Sequence, residues 1–114
     1  MVRKADIVTV QGLAGGKGTA IVHHIVPEKD LYGHGRMYAK VVLWPGSSVG
    51  WHRHVGETEP YYILEGQGIF IDDDGSRTVV GPGDVCTILP GQCHSLENIS
   101  DEKTLSFMAL IHKN

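Results

Sequence analysis

His52 and His54 stand one residue apart, and two carboxylates, Glu57 and Glu59, follow within seven positions. In an extended strand, residues two apart point to the same face. His52 and His54 therefore aim together, while Trp51 and Arg53 point the other way. Val55-Gly56 supplies a bend, with Gly56 giving the backbone freedom that a tight turn needs. On the return strand Glu59, Tyr61 and Ile63 share one face, and Tyr62 and Leu64 the other. With Glu59 turned toward the histidines, two imidazoles and one carboxylate meet at a point. That set suits one divalent transition metal (Mn, Fe, Co, Ni, Cu or Zn), because imidazole and carboxylate are borderline-to-hard ligands. His94, after the Pro90-Gly91 turn, opens a later strand and is a fourth candidate.

Each of these residues also has a plainer explanation. An isolated H-x-H pair belongs as readily to a surface hairpin as to a metal site. Glu57 competes with Glu59 as the inward carboxylate, or sits at the rim or behind the ligands. Tyr61 either packs in the core with its hydroxyl bonded or touches a substrate. His23 and His24 are adjacent and cannot both face inward from one strand. Arg36, Tyr38 and Lys40 alternate along one strand, and a solvated outer face is the expectation for them. A charged residue turned into a cavity would instead bind an anion. His34 and His112 read as loop and terminal residues, Cys86 as a small buried apolar group, and Cys93 as pointing away from His94.

The elements that position these groups are short. Glycine accounts for 15 of 114 residues, scattered as turn punctuation and not as a repeat. Strands are expected at Ile7–Gln11, over 19–27 and 36–46, and at Thr104–Lys113. Between them, "EPYYILEG" and "GIFIDDDG" read as the arms of a hairpin joined at Gly66-Gln67-Gly68, with a tight turn at Asp72–Gly75. "RTVVGPGD" and "VCTILPGQ" add two more strands, and "KDLYGHG" is a connection with room for one helical turn. About eight short strands and no helical period make the chain all-β, a sandwich or barrel in one domain over residues 1–114.

Composition excludes several partners. A net charge of −3 gives no basic patch for nucleic acid. No apolar run reaches the ~18 residues of a membrane span, and the N-terminus lacks a signal-peptide core, so a cytoplasmic protein is expected. Two cysteines make no disulfide framework. "GLAGGKGT" imitates a phosphate loop but misplaces Lys17 and has Gly18 where Ser or Thr belongs, so it reads as an ordinary loop.

The pattern G-x5-H-x-H-x4-E-x6-G is complete in Gly46, His52, His54, Glu59 and Gly66. The pattern G-x5-P-x-G-x2-H-x3-N is met at Gly83, Gly91, His94 and Asn98, with Leu89 where proline is usual. The chain thus resembles the small single-domain cupins. The resemblance implies a double-stranded β-helix, or jelly roll. It also implies that His52, His54, Glu59 and His94 hold one divalent metal with positions left open.

Such a centre polarises a carbonyl, stabilises an enediolate or activates dioxygen. The leading expectation is a small metalloenzyme acting on a compact oxygenated substrate (sugar derivative, keto acid or diketone) by isomerisation, dioxygenation or decarboxylation. Glu57, Tyr61 or a nearby histidine is its candidate proton carrier. The alternative is a non-catalytic, metal-dependent small-molecule binding or sensor protein. A metal-free acid–base epimerase is disfavoured by the intact ligand set. A homodimer is expected, joined through the first and closing strands.

Overall fold

The computed structural model describes residues 1–114 as two antiparallel sheets facing each other. Eleven strands follow in chain order: β1 (Asp6–Gln11), β2 (Thr19–Val26), β3 (Gly35–Leu43), β4 (Ser48–Arg53), β5 (Glu57–Thr58), β6 (Tyr61–Glu65), β7 (Gly68–Ile71), β8 (Arg77–Val80), β9 (Val85–Cys86), β10 (Cys93–Asn98) and β11 (Leu105–Lys113). One sheet runs β1-β2-β3-β11-β6-β9 with β5 against β11, and the other runs β4-β10-β7-β8. This is the double-stranded β-helix. Only two single 3-10 turns interrupt it, Leu13–Gly15 and Glu28–Leu31.

The core lies between the sheets. Val41, Leu43, Ile63, Leu105 and Phe107 from the larger sheet meet Val49, Phe70 and Leu96 from the smaller. Alternation along each strand sends these residues inward, as the two inner faces of a sandwich require.

One expectation fails. β6 and β7 do not form a hairpin: β6 pairs with β11 and β9, and β7 with β10 and β8. Gly66-Gln67 is a crossing from one sheet to the other. Ile63 and Phe70 both bury their side chains, and placing the arms in opposite sheets lets these two inward faces meet across the core. Gly66 makes the crossing possible at φ +86, beside the Thr104 carbonyl, where any side chain would clash. The Asp72–Gly75 turn does close a hairpin, β7 with β8.

The glycine-rich Gly12–Gly18 segment is more than a passive loop. It straps across β4, with the Ser48 N–H donating to the Lys17 carbonyl at 2.9 Å and the Thr19 N–H donating to Ser47 Oγ at 2.9 Å. Gly16 touches the Ser48 carbonyl and Gly50 the Ala14 carbonyl so closely that neither site has room for a Cβ. Ala14 is held at φ 52, in the left-handed region that costs an L-residue about 1–2 kcal/mol.

Candidate metal centre

β4 and β10 are neighbours, and their register sets His94 directly opposite His52. His54 follows β4 and is pinned by the Leu89–Gln92 turn. Its N–H donates to the Gln92 carbonyl at 3.1 Å, and its carbonyl accepts the Gly91 N–H at 2.7 Å. Leu89 in place of proline therefore leaves the turn and the ligand beside it in register. Glu59, between β5 and β6, enters from the opposite sheet. Asn98 serves the scaffold instead: its Nδ2 donates to the carbonyls of Leu43, Trp44 and Lys103.

The Nε2 atoms of His52, His54 and His94 and the Oε1 of Glu59 converge. Distances among the four atoms run from 3.0 to 3.5 Å. A point equidistant from all four lies about 2 Å from each, the bond length of nitrogen and oxygen ligands to zinc. His54, Glu59 and His94 are buried and His52 is partly so.

The protonation pattern strengthens this fit. His52 Nδ1 lies 2.6 Å from the Gly50 carbonyl, which can only accept, so the ring proton sits on Nδ1. His54 Nδ1–H likewise donates to Glu57 Oε1 at 3.0 Å. With both rings neutral, the two Nε2 atoms face each other across 3.0 Å as bare lone pairs. Two acceptors at that distance repel unless a cation lies between them; one proton would serve a single pair, whereas a divalent ion satisfies the whole donor set. His94 Nδ1 is buried without a partner, so His94 alone lacks a group that fixes its ring.

Electrostatics agree. Burial opposes ionisation of Glu59, yet the imidazoles of His52, His54 and His94 gathered at its Oε1 favour the charged carboxylate and hold it far below the usual range. The hydrogen bond to Glu59, then that to Glu57, raises His54 above an ordinary histidine despite burial. Burial dominates at His94 and lowers it. The field around His54 calls for positive charge.

The cluster opens into a cavity of about 140 Å³, otherwise walled mainly by Leu13, Met37, Val41, Val49, Phe107 and Ile111. Tyr61 lines it fully buried, its hydroxyl donating to Glu59 Oε1 at 3.1 Å and lying 3.3 Å from His94 Nε2. Burial, then the Glu59 charge, keeps that phenol protonated. Glu57 lies behind His54, gripped by Arg36 through Nε and Nη2 at 2.8–3.0 Å. The bond to Arg36 lowers the Glu57 carboxyl. Neither His23 nor His24 lines the cavity.

Two features escape a strict reading of alternation. Arg36 stays half exposed, as expected of a solvated residue, but it does not keep to the outer face with Tyr38 and Lys40: it lines the cavity. The register explains why: Ile111 pairs with Met37 and His112 with Gly35, so Arg36 is skipped in a bulge, which re-aims a side chain. Leu13 and Ala14 also reach the wall, carried there by the strap. The doublet Gly15-Gly16 marks a backbone that must approach another, though not which one.

Comparison with known proteins agrees with this geometry. The family model described as "Cupin domain" matches residues 39–111, and the chain belongs to that family. An oxalate-binding protein of Thermotoga maritima is 39% identical over 113 residues, covering 97% of this chain and 92% of its own. A solved structure from Thermotoga maritima, described as a predicted oxalate decarboxylase, superposes with a TM-score of 0.91 at 37% identity, covering 100% of this chain and 99% of that one. The polyketide cyclase RemF of Streptomyces resistomycificus shares the fold, with a TM-score of 0.76 at 21% identity over 98% of this chain and 78% of its own.

Proposed function

We propose that this chain binds one divalent transition metal through His52, His54, Glu59 and His94 and uses it to hold a compact oxo-anion of the oxalate class. The observation that carries this reading is the pair of bare Nε2 lone pairs facing each other at 3.0 Å, at the foot of a small apolar cavity. When bound, the metal supplies Lewis acidity toward a ligand oxygen. The chain's own residues fix the donors: the Gly50 carbonyl orients His52, and Glu57 orients His54. The small cavity limits the ligand to a few atoms. The relative described as oxalate-binding supports the ligand class.

Binding is favoured over acid–base catalysis because no free carboxylate or imidazole lines the cavity outside the four donors. Glu57 is committed to Arg36 and His54, and so acts as a positioning group in this reading. A second reading keeps the same ligand but makes the protein an enzyme, with Tyr61 as the proton donor. The Tyr61 hydroxyl, in bonding reach of Glu59 and His94, favours it.

Titration calorimetry of oxalate into Mn²⁺-loaded and metal-stripped protein, followed by an assay for carbon dioxide release, tests both readings. Metal-dependent binding without turnover supports the first, and turnover lost in Tyr61→Phe the second. Oxalate binding to the stripped protein with equal affinity would contradict both.

A homodimer belongs to the same proposal. The outer face of the larger sheet carries Tyr38, Tyr62, Val85, Met108 and Leu110 around a shallow depression, and Ile7 lies exposed on β1. Strands apolar on both faces are strands covered on both faces. Light scattering is expected to give a mass of two chains for the native protein and of one for Tyr62→Glu; a native monomer would exclude the dimer.

A further inference from the structure

Arg36, its side chain about half exposed, is the one permanently charged cation on the cavity wall, in a lining that is otherwise apolar or part of the donor cluster. Its guanidinium is already half used. Nε and Nη2 form a fork on the Glu57 carboxylate, at 3.0 Å from Nε to each oxygen and 2.8 Å from Nη2 to Oε1. Nη1, with two N–H donors, bonds to nothing in the chain. Glu57 cannot swing aside to release the fork, because its Oε1 also accepts the His54 Nδ1–H. The bulge at Arg36 is what brings the side chain here at all.

We infer that Arg36 is the specificity-determining residue of the site: its free Nη1 edge takes the outer carboxylate of a ligand whose inner end faces the ion that the four donors would hold, while Glu57 holds the guanidinium in place. This rests on the metal-dependent binding reading above and adds to it a requirement for a second anionic end. The planar, permanently charged guanidinium suits a carboxylate better than lysine would, since its donors are fixed in one plane. Anchored on one edge, it offers the other without losing further freedom on binding. A ligand with an apolar end would instead leave a charged edge facing methyl groups. The ligand class is thus a short α-oxo dianion, with a monocarboxylate of similar size as the poor competitor.

The test is a comparison of two ligands across two side chains. Oxalate and acetate differ by the second carboxylate; native protein and Arg36→Met differ by the guanidinium. All measurements use Co²⁺-loaded protein, with the visible cobalt spectrum reporting the anion. Metal stoichiometry and circular dichroism verify that each variant is folded and loaded. The native protein is expected to prefer oxalate, and Arg36→Met to lose that preference by about 10-fold while its acetate affinity stays within about threefold, the lower end of the scale of a hydrogen bond to a charged group, since the guanidinium is half exposed. Arg36→Lys, which keeps charge but loses the fork, should fall between them.

Equal weakening of oxalate and acetate in Arg36→Met would mean that Arg36 serves only as a counterion for Glu57, and would overturn the inference while leaving metal-dependent binding intact. An unchanged preference would overturn it as well. Failure of loaded native protein to bind oxalate at all would overturn both.

Discussion

Glu57 Oε1 accepts the His54 Nδ1–H at 3.0 Å and so decides which nitrogen of His54 is free to bind an ion. The carboxylate stands three residues from the histidine it orients. Removing such a partner of a metal-bound histidine costs about 10–100-fold in metal affinity. Glu57→Ala is expected to lie in that range by competition with a chelating dye. Glu57→Gln, whose amide oxygen still accepts, should lose less. Equal losses in both would mean that charge, and not orientation, is what Glu57 contributes.

Protons compete with metal for the same nitrogens. The Glu59 hydrogen bond, opposed by burial, raises His54, so competition begins above the ~6.5 of an ordinary histidine. Glu59 itself stays ionised far into acid and adds nothing to the slope near neutrality. Metal affinity should therefore weaken steadily as pH falls through 7 and 6, on the scale of roughly tenfold per unit for one competing proton. Calorimetry at several pH values reads this directly; a flat profile would contradict the assigned nitrogens.

Gly50 touches the Ala14 carbonyl of the strap, with no room for a Cβ. Gly50→Ala must push Leu13 and Ala14 off the cavity wall or distort β4 beside His52. A loss of about 1–3 kcal/mol is expected from denaturant unfolding, the usual cost of overpacking. Gly75→Ala meets open space but keeps the left-handed strain at φ +83, so it separates the clash from the backbone cost. If Gly50→Ala unfolds at the native midpoint, the strap is not packed as described.

Burial pushes the Cys86 thiol up to about 11, from an ordinary value near 9. The folded state thus holds this proton more tightly than the unfolded chain. Its contribution is complete below about pH 9 and is lost as pH rises toward 11. Native protein should lose stability across that window while Cys86→Ala, lower at the start, loses less. Identical slopes would show that the thiol is not buried as protonated.

Much of this was legible in the sequence. Alternation put His52 with His54 and Glu59 with Tyr61, and the extended spacing carries both pairs although His54 lies just past the end of β4 and Glu59 just before β6. The opposition of β4 and β10 that brings in His94 was carried by the family resemblance, since register between distant strands is not a local property. The supposed hairpin at Gly66-Gln67-Gly68 failed for a physical reason: two apolar faces pack equally well side by side or across a core, and a short glycine turn permits either. Arg36 failed differently. A bulge inserts one unpaired residue, and neighbouring residues give no count of what the partner strand will match.

Whether four side chains hold one ion is read from the metal content of the protein. Metal-stripped protein is titrated with Mn²⁺ and Zn²⁺, and bound metal is read by mass spectrometry after gel filtration. One ion per chain is expected for the native protein, and strong depletion for His52→Ala, Glu59→Gln and His94→Ala, each with its fold retained. His52→Ala should be tolerated best as a fold, because His52 is the one partly exposed donor, whereas His94 is fully buried and stacked on Tyr61. Full occupancy in all three variants, or none in the native protein, would contradict the account.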